Sequence, residues 1–184
     1  SLFDSCTALK SIEIPEGVTS IASQAFMNCS SLQSIRIPKS VQSIERIAFY
    51  NCTTLESAEI FGEIVSLNNN VFQNCTALKS VTLPSSLLEI GSSIFQNCAL
   101  LESIQIPKSV ETIGMQAFGG CTALKDIEIF GTLKKVGQGA FDNTAYYNTE
   151  SNWQGDSLML GSSLISVKKT ASGAYTVPDG VVTI

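Results

Sequence analysis

The sequence predicts a repeat solenoid in which short coils of 23 residues stack along one axis. Phenylalanine, cysteine and leucine each recur at that spacing over at least six copies. The recurring positions are Phe3, Phe26, Phe49, Phe72, Phe95, Phe118 and Phe141; Cys6, Cys29, Cys52, Cys75, Cys98 and Cys121; and Leu9, Leu32, Leu55, Leu78, Leu101 and Leu124. A coil this short cannot bury its own apolar side chains, but stacked coils align them into one continuous core.

Each coil is predicted to contain a strand. In the first unit, Ile12 and Ile14 alternate with Ser11 and Glu13, which is typical of a half-buried strand. Pro15 lacks an amide hydrogen and ends the strand. Because every copy enters the sheet in the same direction, the strands form a parallel sheet with neighbours about 4.8 Å apart.

The rest of each coil is predicted to be a second short extended piece and a compact turn. Val18 and Ile21 continue the core in the extended piece. A short helix or 3-10 turn follows, because the next apolar residues have helical spacing: Ala25, Phe26, Cys29 and Leu32. Glycine, which permits positive φ, precedes this turn in three coils, at Gly91, Gly114 and Gly137. Ala22 and Glu45 hold the same place, so positive φ is not required there.

A longer period of 69 residues relates the third coil to the sixth. The tripeptide IFG occurs at 60–62 and again at 129–131, where Phe61 and Phe130 replace the usual proline. We therefore predict that these two coils share a local shape.

The repeat pattern stops after Phe141 and resumes at Val177, where VPDGVVTI matches the IPEGVTSI of the first unit. In strict register Val177 would stand at position 152, so the interruption carries 25 extra residues. Within it, SLMLG and LISVKK predict the two strands of a β-hairpin joined near Gly161–Ser163. Such a hairpin would serve as a cap on the last coil or as a joint between repeat blocks.

Three segments are thus predicted: a solenoid of about six coils over residues 1–141, an insert over 142–176, and the start of a further repeat over 177–184. Both ends of the chain fall inside a coil, and natural solenoids have polar caps. We therefore expect the chain to be a fragment of a longer protein.

Composition removes several classes of function. The net charge of -5 disfavours binding to nucleic acid or to anionic membranes, because both need clusters of Lys and Arg. No apolar run approaches the roughly 18 residues of a membrane span. Histidine is absent, so the usual general base and the commonest metal ligand are missing. We therefore predict no catalytic residues, no cofactor and a non-enzymatic protein.

The cysteines are predicted to be reduced. They contain no C-x-x-C pair, so no metal site is expected. Adjacent coils bring their Cα atoms within disulfide range, yet side chains in one row point the same way, which is poor disulfide geometry. A ladder of buried thiols that act as small apolar side chains is the favoured interpretation, and a loss of thiol titre after denaturation would favour disulfides instead.

Two other patterns have a functional and a simpler interpretation. Asn28, Asn51 and Asn74 begin N-x-S/T sequons, but the repeat produces them automatically, and their predicted role is to satisfy backbone groups in the turn. Glu13 and Glu59 lie two coils apart, roughly 9–10 Å, near the upper limit for an inverting glycosidase pair. Arg36 stands between them, so a solvated ladder of charges is favoured over a hydrolase.

The outward side of the predicted sheet is the candidate binding surface. Small residues form one row at Ser11, Ser34, Ser57, Ser80 and Ser103, with Asp126 at its end. A second row begins at Glu13 and continues through the predicted ligand contacts, which are Arg36, Glu59, Thr82, Gln105 and Glu128. In the insert, Tyr146, Tyr147 and Trp153 are either further contacts or a cap on the last coil.

The segment 6–26, CTALKSIEIPEGVTSIASQAF, resembles the BspA-like (Treponema-type) leucine-rich repeats. The resemblance covers residues 1 to about 141 and resumes near 174. It implies a curved leucine-rich-repeat solenoid on bacterial surface proteins, often used in adhesion or host contact, with no family catalytic residue or fixed ligand. This chain departs from the motif at Phe61, Phe130, Ala58 and Thr144, the last of which stands where a seventh cysteine is due.

The sequence therefore predicts a non-enzymatic binding or adhesion module of a bacterial cell-surface or secreted protein. Its partner is expected to be a protein or a glycan, including those of a host's extracellular surface, recognised across several coils. The alternative is a structural spacer or stalk that holds another domain away from the cell, and a glycoside hydrolase is a remote third possibility.

Overall fold

The computed structural model, which describes residues 2–168, 170, 171 and 174–182, is a β-solenoid built from stacked 23-residue coils. The predicted fold class is confirmed. The longer strands are β2 (Ser34–Ile37), β4 (Ser57–Ile60), β6 (Ser80–Thr82), β8 (Ser103–Ile106) and β10 (Asp126–Ile129). The shorter strands are β1 (Ser20–Ile21), β3 (Ser43–Ile44), β5 (Ser66–Leu67), β7 (Glu89–Ile90), β9 (Thr112–Ile113) and β11 (Lys135–Val136).

Both rows of strands pair in parallel at a register of 23 residues. The longer strands form the sheets β2-β4-β6 and β8-β10, and the shorter ones form β1-β3 and β5-β7-β9-β11. Ser34 pairs with Ser57, and Ser57 pairs with Ser80. Equivalent residues of successive coils therefore lie beside each other, as the repeat predicts.

The phenylalanines form a continuous stack along the axis. Neighbouring ring centroids are 5.1 to 5.6 Å apart, and adjacent ring planes are inclined by 3 to 17°. From Phe49 to Phe118 the rings are fully buried. This packing joins the coils into one core, because each ring contacts the rings before and after it.

The first coil differs from its prediction. Its residues 10–15 keep the alternation of half-buried Ile12 and Ile14 with exposed Ser11 and Glu13, but they form no strand. One backbone hydrogen bond, from Gln33 N to Lys10 O at 3.1 Å, joins this segment to the second coil. A single bond does not make a ladder, so the longer strands begin in the second coil.

The compact part of each coil is a series of hydrogen-bonded turns rather than a helix. In the first coil, Gln24 and Asn28 have φ of 61° and 60°. Two left-handed residues so close together interrupt a right-handed helix, although the predicted core positions between them still face inward. Helical spacing was therefore a correct guide to burial but not to backbone conformation.

Gly91, Gly114 and Gly137, which precede this turn, do not have positive φ, although glycine would permit it. Their role is close packing between coils. A Cβ added to Gly91 would lie 2.4 Å from the Leu67 carbonyl oxygen, and one added to Gly114 would lie 2.5 Å from Ser92 N. Glycine lets the backbones of adjacent coils approach, while the left-handed residues come two positions later.

The third and sixth coils share the local shape that the 69-residue period predicts. The amide of Phe61 donates to Ile37 O at 3.0 Å, and the amide of Phe130 donates to Ile106 O at 3.1 Å. Proline at these positions has no amide hydrogen, so replacement by phenylalanine adds one bond to the coil before.

The regular coils end at Thr144, which occupies the place of a seventh cysteine. Its buried hydroxyl donates to Phe141 O at 2.8 Å and accepts from Tyr147 N at 3.0 Å. The second bond caps the helix α1 (Ala145–Asn148), which a 3-10 helix (Glu150–Asn152) follows. The substitution of threonine for cysteine thus starts a helix where a further coil would begin.

The predicted hairpin is present and has a third strand. β13 (Ser157–Leu160) pairs antiparallel with β14 (Ser163–Val167), and β12 (Trp153–Gln154) pairs with β13. After it, Val182 N donates to Ser162 O at 3.0 Å, so this part of the chain contacts the hairpin turn. The last two residues of the predicted partial repeat lie outside the described residues, and the segment boundaries remain predictions.

Candidate binding surface

The predicted contacts lie on the outward side of the longer strands, in a row that we call the contact row. In the sheet β2-β4-β6, Arg36 pairs with Glu59 and Glu59 with Thr82. In the sheet β8-β10, Gln105 pairs with Glu128. All five side chains are exposed, because strand alternation directs them away from the inward-facing apolar residues of the same strands.

Two pairs of side chains in the contact row interact. The Arg36 guanidinium lies 3.9 Å from Glu59 Oε2 and 4.7 Å from the centre of the Phe61 ring. Gln105 Nε2 donates to Glu128 Oε2 at 2.9 Å. The row therefore offers an ion pair at one end and an amide–carboxylate pair at the other, with the Thr82 hydroxyl between them.

The row of small residues lies beside the contact row. Four of its five serines are exposed and Ser57 is half-buried. Beyond it, exposed ion pairs join Lys79 to Glu56 at 2.8 Å and Lys125 to Glu102 at 3.1 Å. Exposed pairs of this kind add little stability. The small side chains leave a shallow strip in which a partner can approach the sheet closely.

The carboxylate pair considered from the sequence is not assembled as a pair. Glu59 has Arg36 as its charged neighbour in the ladder. Glu13 lies in the first coil, outside the strand ladder. The geometry therefore favours the interpretation as a ladder of charges.

The longer strands do not form one sheet, and this break was not foreseen. No ladder joins β6 to β8 in the described part of the chain. Val81 is half-buried there, whereas its counterparts Ala58 and Ile104 are buried. Pro84 and Pro107 follow the strands on either side of the break, and neither can donate a backbone hydrogen bond.

A groove of about 280 Å³ lies over the break. Its lining consists of Ser80, Val81, Thr82, Leu83, Ser103, Gln105, Pro107 and Phe130. Phe130 is 61% exposed. The sequence marked this position, since phenylalanine replaces proline there, but nothing in the repeat pattern indicated a groove beside it.

The three insert aromatics have different environments. Tyr146 packs against the solenoid core, and its hydroxyl donates to Met159 O at 2.7 Å; burial raises its pKa. Tyr147 and Trp153 are half-buried and meet edge to face at 5.2 Å. Lys168 Nζ lies 5.4 Å from the Trp153 ring and 2.7 Å from Glu150 Oε1. Tyr146 thus acts in the cap, while Tyr147 and Trp153 keep part of their surface open.

The cysteines form a ladder of free thiols that is buried from Cys29 onward, whereas Cys6 is half-buried. From Cys29 onward each Sγ donates to the phenylalanine carbonyl of the coil before, as in Cys75 to Phe49 O at 3.2 Å. Burial raises the pKa of Cys29 to about 11 and holds the pKa of Cys75 and Cys98 well above the ordinary value. These thiols are therefore protonated packing groups, not nucleophiles.

The sequon asparagines bond to side chains of neighbouring coils rather than to the backbone of the turn. Asn51 Nδ2 donates to Asn28 Oδ1 at 3.0 Å, and Asn97 Nδ2 donates to Asn74 Oδ1 at 2.9 Å. Each adopts φ near 60°, as in Asn74 at 63°. Asparagine is favoured here because it tolerates that conformation and links adjacent coils.

Among the residues that the structure describes, no group of three or more Cys, Asp or Glu side chains is placed to hold a metal ion. In the same residues, no helix has the length and hydropathy needed to cross a bilayer.

The family model and the solved structures that match this chain all describe leucine-rich repeats. A model of the BspA type leucine rich repeat region, with six copies, matches residues 1–102 and 48–155. No curated protein matches the chain. The crystal structure of the T. pallidum leucine rich repeat protein (TpLRR) has 24% identity and a TM-score of 0.58, covering 73% of this chain and 73% of its own.

A leucine-rich repeat protein from Bacteroides ovatus ATCC 8483 also has 24% identity, with a TM-score of 0.62 over 82% of this chain. The match covers 48% of the Bacteroides chain, about half its length. At this level of identity, the two structures show the shared fold.

Proposed function

Because the chain belongs to the BspA-type leucine-rich repeat family, we propose that it is a non-enzymatic binding module that recognises a protein or a glycan through the contact row. The observation that carries the proposal is the alignment of Arg36, Glu59 and Thr82 on one exposed, regular sheet face. A rigid face lowers the entropy that binding costs, since its contacts are ordered before the partner arrives.

The family supports a location at a bacterial cell surface or outside the cell, where the proposed partner is a host extracellular protein or glycan. Adhesion is the form of binding that such a location favours. Tyr147 and Trp153 supply a second, smaller contact area in the insert, since both keep exposed ring surface beside an open groove.

The test exchanges the charges of the contact row without removing its ion pair. The intact chain would be screened on arrays of glycans and extracellular-matrix proteins, and the affinity for each hit measured again after Arg36→Glu with Glu59→Arg. We expect the exchange to weaken a true partner by about tenfold or more, because complementary charges become repulsive. Circular dichroism would check that the fold is retained.

A matched control is the exposed pair of Lys134 and Glu111, 2.8 Å apart on the side of the shorter strands. Exchange of these charges alters the surface equally but leaves the contact row intact, so affinity should not change. Equal affinity for all three proteins would reject the contact row as the binding site.

A structural spacer is the second candidate, favoured by the unbroken stack of phenylalanines that makes the solenoid stiff. A spacer predicts no specific hit on either array. It also predicts that exchange of the contact-row charges leaves every measured interaction unchanged.

A further inference from the structure

The groove over the break between β6 and β8 has a chemistry unlike the rest of the binding surface. All of its lining side chains are uncharged. The groove beside Phe61 includes Lys39 and Glu63, and the one beside Trp153 includes Glu150 and Lys168. The groove at the break therefore suits a neutral ligand better than these neighbours do.

Its polar groups are hydroxyls and one amide, contributed by Ser80, Thr82, Ser103 and Gln105. Hydroxyl and amide groups can both donate and accept hydrogen bonds, which matches the hydroxyls of a sugar. Phe130 supplies an exposed ring at the edge, and the electron-rich face of an aromatic ring attracts the C–H groups of a pyranose. The combination of a ring face with neutral hydrogen-bonding groups is thus complementary to a sugar.

The width of the break argues against an inserted peptide strand. A strand placed between β6 and β8 would require them to be about 9.6 Å apart, twice the usual strand spacing. Cα atoms of β6 and β8 still lie within 8 Å of each other. A ligand must therefore lie over the groove instead of completing the sheet.

The volume of the groove and the charges beside it restrict the class of ligand further. The volume of about 280 Å³ is at the lower end of small-molecule sites, which suits one sugar ring rather than a larger group. Glu59 and Glu128 stand beside Thr82 and Gln105 in the ladder, so their carboxylates repel an acidic sugar.

We propose that this groove binds one neutral pyranose ring of a glycan, stacked on Phe130 and held by the hydroxyl and amide groups over the break. The inference rests on the proposed binding function and specifies the ligand class of one part of the surface. The charged part of the contact row, Arg36 on β2 and Glu59 on β4, lies outside the lining of this groove and is tested separately.

The experiment uses the intact chain and a panel of methyl glycosides of glucose, galactose, mannose and N-acetylglucosamine, with methyl glucuronide as the acidic probe. Saturation-transfer NMR would identify binders, and titration would give their affinities. At least one neutral glycoside should bind, and Phe130→Ala should weaken it by about tenfold through loss of ring contact. Thr82→Val, which removes one hydroxyl, should also weaken it.

Phe61→Ala is the matched control. Phe61 holds the same place three coils earlier and is also exposed, but it lies outside this groove and its ring faces Arg36. Binding of the glycoside should be unchanged in this variant. Equal losses in Phe61→Ala and Phe130→Ala would overturn the proposal, because they would indicate non-specific stacking.

Two further results would also overturn it: no Phe130-dependent binding by any neutral glycoside, or Phe130-dependent binding of an extended peptide in its place. Neither result would reject the proposed function, which is judged by the response of array hits to the Arg36 and Glu59 exchange. Conversely, a neutral glycoside whose affinity is unchanged by that exchange would support the groove as a sugar-binding site, even if the arrays gave no hit.

Discussion

Individual residues in left-handed conformation shape every coil. One row, with φ from 53 to 65°, consists of Gln24, Ile47, Asn70, Ser93, Gln116 and Gly139. A β-branched residue is a true outlier in this region, because its side chain crowds its own backbone. Ile47, with φ of 54°, is therefore the costliest member of the row.

Replacing this residue should stabilise the protein. Ile47→Asn places a residue that tolerates the left-handed region where the third coil already has Asn70. The free energy of unfolding should rise by about 1 kcal/mol, since strain is removed and Ile47 is only half-buried. Urea denaturation of the two proteins measures the difference.

The reverse change is the control. Asn70→Ile introduces the same strain into the third coil and also removes the bond from Asn70 Nδ2 to Gln73 Oε1, 2.8 Å long. It should lower the stability by at least as much as Ile47→Asn raises it. A stabilising Asn70→Ile, or a destabilising Ile47→Asn, would show that φ is not the controlling factor.

For individual residues, the sequence identified conserved-spacing positions such as the glycines but not the physical reason for the residue found there. Gly91 and Gly114 stood out, but glycine serves either positive φ or close backbone approach, and a sequence does not distinguish the two. The structure assigns close approach to both. The left-handed positions were hidden because Ile47, Ser93 and Gln116 are residues that rarely adopt that conformation.

Among the structural elements, the cysteine ladder couples folding to pH. Buried Cys29, Cys75 and Cys98 have a folded pKa above the ordinary value of 9.0, mainly because burial disfavours the thiolate. In the unfolded chain the thiols ionise near the ordinary value. The folded state therefore holds more protons than the unfolded state above that pH, and stability must fall as pH rises.

We expect full stability below about pH 9 and a progressive loss up to and beyond about pH 11, with each such thiol contributing up to about 1.4 kcal/mol per pH unit. Urea midpoints measured from about pH 8 to about pH 10.5 would show this slope. The double variant Cys75→Ala, Cys98→Ala should be less stable than the unsubstituted protein at neutral pH. Its stability should fall less steeply at high pH. An unchanged slope would contradict the assignment to thiols.

The sequence predicted the contact row but not the break beside it. Side chains along a strand alternate between the two faces of the sheet. The sequence pattern therefore predicts directly that Arg36, Glu59 and Thr82 face outward. The break depends on whether adjacent coils keep their hydrogen bonds, and coils with near-identical motifs differ in this respect. In the sequence, the break coincides with two successive coils that have proline after the strand, Pro84 and Pro107, whereas the coils on either side have Phe61 and Phe130 at that position.

In the whole molecule, the two ends of the stack are unequal. At the first coil, Phe3, Cys6 and Leu9 are only half-buried, whereas Cys121 and Leu124 near the other end are fully buried. The difference arises because Tyr146 and the hairpin cover the last coil. In a linear stack each coil is stabilised by its neighbours, so a coil with one covered face should open more easily.

Hydrogen exchange tests this asymmetry at two equivalent amides. Ser5 N donates to Met27 O at 2.7 Å, and Gly120 N donates to Asp142 O at 2.8 Å, so the bonds themselves are alike. The Ser5 amide should nevertheless exchange at least about tenfold faster, since its coil opens without disturbing a second neighbour. Tyr146→Ala should speed exchange at Gly120 and leave Ser5 unchanged, because only the far end loses its cover. Equal exchange at the two amides in the unsubstituted protein would mean that the solenoid opens as one cooperative unit and that the hairpin does not act as a cap.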